Sequence, residues 1–272
     1  MARKIYGKSV KGASHVRSGM PCQDSFRIDE VSADITIIAV ADGHGSEKSP
    51  RSKSGSQIAV NVFRDIMGMY LVNYSESLSD LVTYLNRDGQ IKFAQDICEE
   101  WQRRVRRSYN STKEDKPLDD DGYVKWEDVY KLYGTTLVGL LITKTYIYAF
   151  QIGDGDIILV DKDSISPVLE TEKILGTETH SLSKEDAWRK AVSSVRRKDV
   201  DADKPYLYML SSDGFVNSYA SDADHQKTCR DYYDMIETHG FEAVCDNLEN
   251  WLRETSDLGC GDDITLVLAY ID

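Results

Sequence analysis

The chain has 272 residues, 46 acidic against 33 basic side chains, a net charge of −13 and 41% apolar residues. That is apolar material enough for a sizeable core, and the acidic balance argues against a nucleic-acid partner. No run approaches the roughly 18 apolar residues of a membrane helix, and Met1-Ala2-Arg3-Lys4 begins no signal-like apolar stretch. The expected setting is therefore cytoplasmic, with no membrane partner. The five cysteines are odd in number and none is spaced CxxC, which predicts free thiols and excludes a disulfide frame or a zinc site.

In chain order, residues 3–12 and 23–29 read as short strands. The β-branched run from Asp34 to Ala41 is a clearer one and leads into Asp42-Gly43-His44-Gly45. Ile58, Val62, Ile66 and Met69 mark one face of a helix. A second helix is expected at 77–87. A third, at 91–107, carries Phe93, Ile97, Trp101 and Val105 at four-residue steps and ends in a basic run. Residues 108–128 form an acidic surface insertion. Strands follow at Thr135–Ile142, Tyr146–Ile152 and Asp156–Val160, the last two joined by Gly153-Asp154-Gly155. Residues 161–204 are charged and without a clear period, apart from a helix expected near 184–197. A strand at Tyr206–Leu210 ends in Ser212-Asp213-Gly214. Phe241, Val244, Cys245, Leu248 and Trp251 define a helix, and Ile264–Ile271 is the last strand. Nothing resembling a linker divides residues 1–272, so one domain is expected. Strands and helices come in blocks, which favours an α+β layered architecture with antiparallel sheets.

The informative feature is where the acids sit. Asp42 follows an apolar strand, Asp154 occupies a turn between two strands, Asp213 ends another, Asp262-Asp263 precede the last, and Asp24 lies in an early one. Any single Asp-Gly is most simply a turn, because Asp tolerates turn geometry and Gly supplies positive φ. Several at strand ends of one core would converge, and converging carboxylates repel unless a cation lies between them. Without His or Cys partners such a cluster offers hard oxygen donors, suited to Mg²⁺, Mn²⁺ or Ca²⁺. Bound cations would also draw phosphate to an otherwise anionic surface.

Cys22-Gln23-Asp24-Ser25, Ala41-Asp42-Gly43-His44-Gly45, Gly134-Thr135-Thr136, Gly153-Asp154-Gly155-Asp156, Ser212-Asp213-Gly214 and Gly261-Asp262-Asp263-Ile264-Thr265 occur in the order and approximate spacing of one family. From about residue 7 to 270 the chain resembles the PPM family, the type-2C metal-dependent serine/threonine protein phosphatases, in a bacterial-like branch. The resemblance implies a four-layer αββα sandwich, two packed antiparallel β-sheets flanked by helices. It implies two Mg²⁺ or Mn²⁺ ions, with Asp42 bridging them, the Gly43 carbonyl on one, Asp213 and Asp262 on the other, and Asp154 at a weaker third. Gln23, Asp24 and Asp263 would stand behind these ligands, the first two orienting metal-bound waters. By the same resemblance a metal-bridging hydroxide attacks a phosphomonoester in line, with His44 as general acid.

The implied partner is a phosphorylated protein, with a serine/threonine kinase opposing the enzyme. The family's phosphate-gripping arginine has no clear equivalent: Arg17, His15 or neither fills that place. Asn217 stands where an acid often helps hold the third metal. Residues 161–204 fall where the family has a variable flap. Two other readings stay open, an inactive phosphoprotein-binding regulatory module and a phosphatase of small phosphoesters.

Overall fold

A computed structural model describes residues 3–87, 89–112, 116–170, 180–197 and 205–272. Its elements run β1 (Arg3–Val10), α1 (Ala13–Ser18), β2 (Ser25–Ser32), β3 (Ile35–Ala41), α2 (Ser52–Asn73), α3 (Leu78–Leu85), α4 (Gly89–Asn110) and α5 (Trp126–Lys131). Then come β4 (Leu137–Ile142), β5 (Tyr146–Ile152), β6 (Asp156–Asp161), β7 (Ile165–Pro167), a 3₁₀ turn at Ala187–Lys190, β8 (Val192–Arg197), β9 (Tyr206–Ser211), α6 (Asp213–Val216), α7 (Asp222–His239), α8 (Phe241–Leu258) and β10 (Ile264–Ile271).

The strands form two five-stranded sheets, ordered β1-β10-β9-β6-β7 and β2-β3-β4-β5-β8, with every neighbouring pair antiparallel. Period-two patterning stacks them. Along β3, Ile38 and Val40 point into a core shared with Val267, Ala269 and Ile271 of β10. The alternate residues Ile37, Ala39 and Ala41 face Phe63 and Met67 of α2 and Phe93, Ile97 and Trp101 of α4. On the other side, Leu266 and Leu268 of β10 face Cys229 and Tyr232 of α7 and Val244 and Leu248 of α8. The result is the expected αββα sandwich, with three apolar interlayers. Each fully buried large aliphatic or aromatic side chain in them stabilises the fold by about 1.5–3 kcal/mol.

Two expectations are corrected. The helix expected near 184–197 is a 3₁₀ turn followed by strand β8. β8 pairs with the edge of β5 through Val192 and Val195, so sheet pairing overrides a local charge pattern. Asp24 lies just before β2, at the strand's mouth. Neither the short helix α1, which carries His15 and Arg17, nor α7 is announced by the apolar pattern. Of the expected insertion, residues 108–110 complete α4 and 126–128 open α5. Between them Leu118 bridges Val124, while Asp119 Oδ1 accepts from the Asp121 and Tyr123 amides in a closed turn. The basic run of α4 is engaged within the fold: Arg103 and Arg104 pair with Glu100, and Arg106 stacks on Trp126. Residues 113–115, 171–179 and 198–204, parts of the expected insertion and flap, lie outside the described residues.

A candidate active site at the shared mouth of the two sheets

Strand register brings the acids together. Ser25 pairs with Ala41, Val40 with Val138, and Leu137 with Ile152 in one sheet. Val10 pairs with Ile264, Leu266 with Ser211, and Asp156 with Ser211 in the other. The ends carrying Asp24, Asp42, Asp154, Asp213 and Asp262 are therefore all on one edge of the sandwich. A cleft of about 830 Å³ opens there, with Asp42, His44, Asp154, Asp213 and Asp262 among its lining.

The backbone beneath Asp42 is tightly held. Its carbonyl accepts from Thr136 N (2.9 Å) and Thr135 Oγ1 (2.6 Å), and its N–H donates to Thr136 Oγ1 (3.1 Å). This gives the Gly134-Thr135-Thr136 motif a structural task. Asp24 is buried; its Oδ2 accepts from Ser212 Oγ at 2.6 Å, and its Oδ1 has no partner. The buried Gln23 Oε1 and Asp213 Oδ1 are likewise unpartnered. Asn217 donates to Asp213 Oδ2 at 3.0 Å, so it supports that carboxylate through its amide hydrogens.

Asp263 is buried and has a role the sequence did not show. Its two oxygens accept from Gly12 N and Gln23 N, each at 2.7 Å, tying three distant segments. His15, from α1, leans on the same group: Nδ1 is 2.9 Å from Asp263 Oδ1, out of line for a hydrogen bond, and Nε2 is 3.9 Å from Asp262 Oδ1. His15 lines the cleft, whereas Arg17 is exposed on α1 and does not. The far wall includes Lys131 of α5 and Ser183, Lys184 and Asp186 from the expected flap.

Charge crowding is evident. Burial, reinforced by neighbouring carboxylates, pushes Asp24 up to about 7 and Asp42 well above the ordinary carboxylate range. Burial raises Asp213 as well, with Asp154 and Asp262 adding to it. Asp262 is raised by burial, less strongly opposed by the Asp263 amide and His15. Among the described residues no three His, Cys, Asp or Glu side chains already form a closed metal-binding group; the contacts are pairwise. The unpartnered oxygens of Asp24, Gln23 and Asp213 nonetheless make an all-oxygen donor set of the kind hard divalent cations take.

A pH dependence follows. Carboxyl groups raised above their unfolded value of 3.8 bind extra protons in the folded chain. The associated stability is complete below that value and is lost as pH rises through the folded pKa values, the Asp24 midpoint lying near about 7. In chelator, the melting temperature should therefore fall between pH 5.5 and 8. The rise in melting temperature on adding Mn²⁺ should be larger at pH 8; thermal scans at both pH values check this, and an equal rise at each would count against the crowding.

Two face-to-face antiparallel sheets, helices outside and acidic strand ends at one mouth define the sandwich class of type-2C phosphatases. The chain belongs to that family: the protein phosphatase 2C family model matches residues 11–253. Solved structures agree on the fold. The catalytic domain of the serine/threonine phosphatase PstP, in complex with two manganese ions, superposes with a TM-score of 0.59 at 13% identity, covering 99% of each chain. The Mycobacterium tuberculosis phosphatase PstP/Ppp gives 0.55 at 12%, covering 99% of this chain and 98% of that one. PppA, a regulatory component of the T6SS in Pseudomonas aeruginosa, gives 0.59 at 15%, covering 99% and 97%. A sequence search of curated proteins returned no match.

Proposed function

We propose that the chain is one phosphatase domain that hydrolyses phosphoserine or phosphothreonine in proteins, in the cytoplasm, using two Mg²⁺ or Mn²⁺ ions. The observation that carries this reading is the gathering of Asp42, His44, Asp154, Asp213 and Asp262 in one cleft, with the unpartnered oxygens of Asp24, Gln23 and Asp213 at the same mouth of both sheets. Asp42 would bridge the ions, with the Gly43 carbonyl on one and Asp213 and Asp262 on the other. Bound there, divalent cations supply an activated water and neutralise phosphoryl oxygens. Gln23 and Asp24 would orient water from behind. Asp154, exposed at the rim, is the candidate for a weaker third ion. His44, in the cleft between Asp154 and Lys184, would protonate the departing alkoxide.

Purified protein incubated with Mn²⁺ should release phosphate from phosphoserine and phosphothreonine peptides and stop when chelator is added. It should prefer these to phosphorylated metabolites of equal charge. Peptide binding without turnover in either metal would replace this reading with that of a phosphoprotein-binding module. Turnover of metabolites alone would replace the substrate class.

A further inference from the structure

The phosphatase reading leaves one charge at the cleft without work. Among the described residues, Lys48, Lys131 and Lys184 are the lysines that line it. Lys131 is paired with Asp128 at 2.8 Å. Burial lowers the His44 pKa and, against the opposing pull of Asp154, Lys184 lowers it further, so the Lys184 charge is felt at the imidazole. Lys48 is exposed, and its ammonium makes no hydrogen bond or ion pair among the described residues.

The backbone that carries Lys48 is held on either side. His44 N donates to Gly134 O at 3.1 Å, Ser49 N to Ser46 O at 2.8 Å, and Ser49 Oγ to Lys131 O at 2.7 Å. The turn is therefore pinned while the lysine side chain is left to solvent. Glu127, Glu185 and Asp186 also line the cleft, yet none of them is paired with Lys48. A lysine fixed at its root, with three rotatable donors and no counter-ion among the described residues, is placed to take an anion from outside the fold. The reacting phosphate belongs with Asp42 and Asp213, whereas Lys48 stands at the rim. An extended peptide advances about 3.4 Å per residue, so residues close to a bound phosphoserine along the chain pass over that rim. The chain as a whole carries −13 and repels acidic peptides; a carboxylate beside the phosphoserine is accepted only where a local cation offsets that field.

We propose that Lys48 determines substrate choice by pairing with an aspartate or glutamate that flanks the phosphoserine or phosphothreonine; this rests on the phosphatase reading above. The preferred phosphosites are then acidic ones, despite the acidic surface around them. Because the pair forms at an exposed rim, its effect is modest and sensitive to salt.

Matched phosphoserine peptides test this, with each position near the phosphoserine set in turn to alanine, glutamate or lysine. For the full chain in Mn²⁺, glutamate at one or more of these positions should lower KM about 2–5-fold relative to alanine, with kcat alike, and the gain should fade as salt is added. Lys48→Ala should abolish the gain, Lys48→Arg keep it, and Lys48→Glu turn the preference toward lysine peptides. All three variants should hydrolyse p-nitrophenyl phosphate, which has no flanking residue, at the parent's rate. Peptide affinity by fluorescence anisotropy reads the same contrast without turnover. A glutamate preference in affinity that Lys48→Ala removes, in a chain that hydrolyses nothing, would support the Lys48 role and overturn the phosphatase reading. Equal KM and affinity for glutamate and alanine peptides, or a preference that survives Lys48→Ala, would overturn the Lys48 assignment and leave the phosphatase reading standing.

Discussion

Asp42→Asn should lower Mn²⁺-dependent turnover by at least about 10²–10³-fold without unfolding the protein. The reasoning separates backbone from side chain. The Asp42 backbone is held by Thr135 and Thr136 through three hydrogen bonds that an asparagine keeps. Its carboxyl stands against Asp213 and Asp24, and burial and those neighbours raise it well above the ordinary range. Replacing it with a neutral amide removes repulsion, so the chelated variant should melt no lower than the unaltered chain. The Mn²⁺-induced rise in melting temperature should shrink together with turnover. A variant that loses activity and also melts well below the parent in chelator would mean that Asp42 holds the fold, and the metal-bridging role would fall.

The second large effect belongs to Gly134. His44 N donates to Gly134 O at 3.1 Å, and a Cβ at Gly134 would come within 2.5 Å of His44 Cδ2 and 3.0 Å of Ser49 Oγ. Ser49 cannot easily yield, because it is buried and its hydroxyl donates to Lys131 O at 2.7 Å. Gly134→Ala must therefore move the imidazole. If His44 protonates the leaving oxygen, both Gly134→Ala and His44→Ala should lose about 10²–10⁴-fold on phosphoserine peptides. Both should lose far less on p-nitrophenyl phosphate, whose leaving group needs no proton. Burial lowers the His44 pKa, opposed by Asp154, so the peptide activity should decline as pH rises while the aryl activity holds. Parallel losses on both substrates, measured as kcat, would remove His44 from the acid role.

Asp42, Asp154, Asp213 and Asp262 could be read from the sequence because each follows or precedes a run whose side chains are buried on both faces, as in β3 and β10, whereas Asp24 precedes the half-buried β2. The helices with aliphatic and aromatic stripes, α2, α4 and α8, were equally plain. The α7 stripe is written in His225, Cys229, Tyr232, Tyr233 and Ile236, in which His and Tyr, of intermediate hydrophobicity, hold three of the five places, although Ser221, capping the Asp224 amide, marks its start. α1 is shorter than two turns and offers no period. β8 depends on an edge of β5 that local pattern cannot see. At the site, the buried tie made by Asp263 and the approach of His15 to it arise only when residues some 240–251 positions apart are paired, and no motif carries that information.

Those long ties bear on biosynthesis. Asp24 and Asp42 leave the ribosome well before Asp213 and Asp262, and among the described residues β1 lies at a sheet edge with β10 as its neighbour. A chain that stops short of residue 262 lacks Asp262, leaves the first strand unpaired and has no Asp263 to anchor Gly12 and Gln23. Such contacts close late and slowly. The candidate site should therefore assemble in one step once β10 has been made, and chains that stop before it should show no Mn²⁺-induced rise in melting temperature.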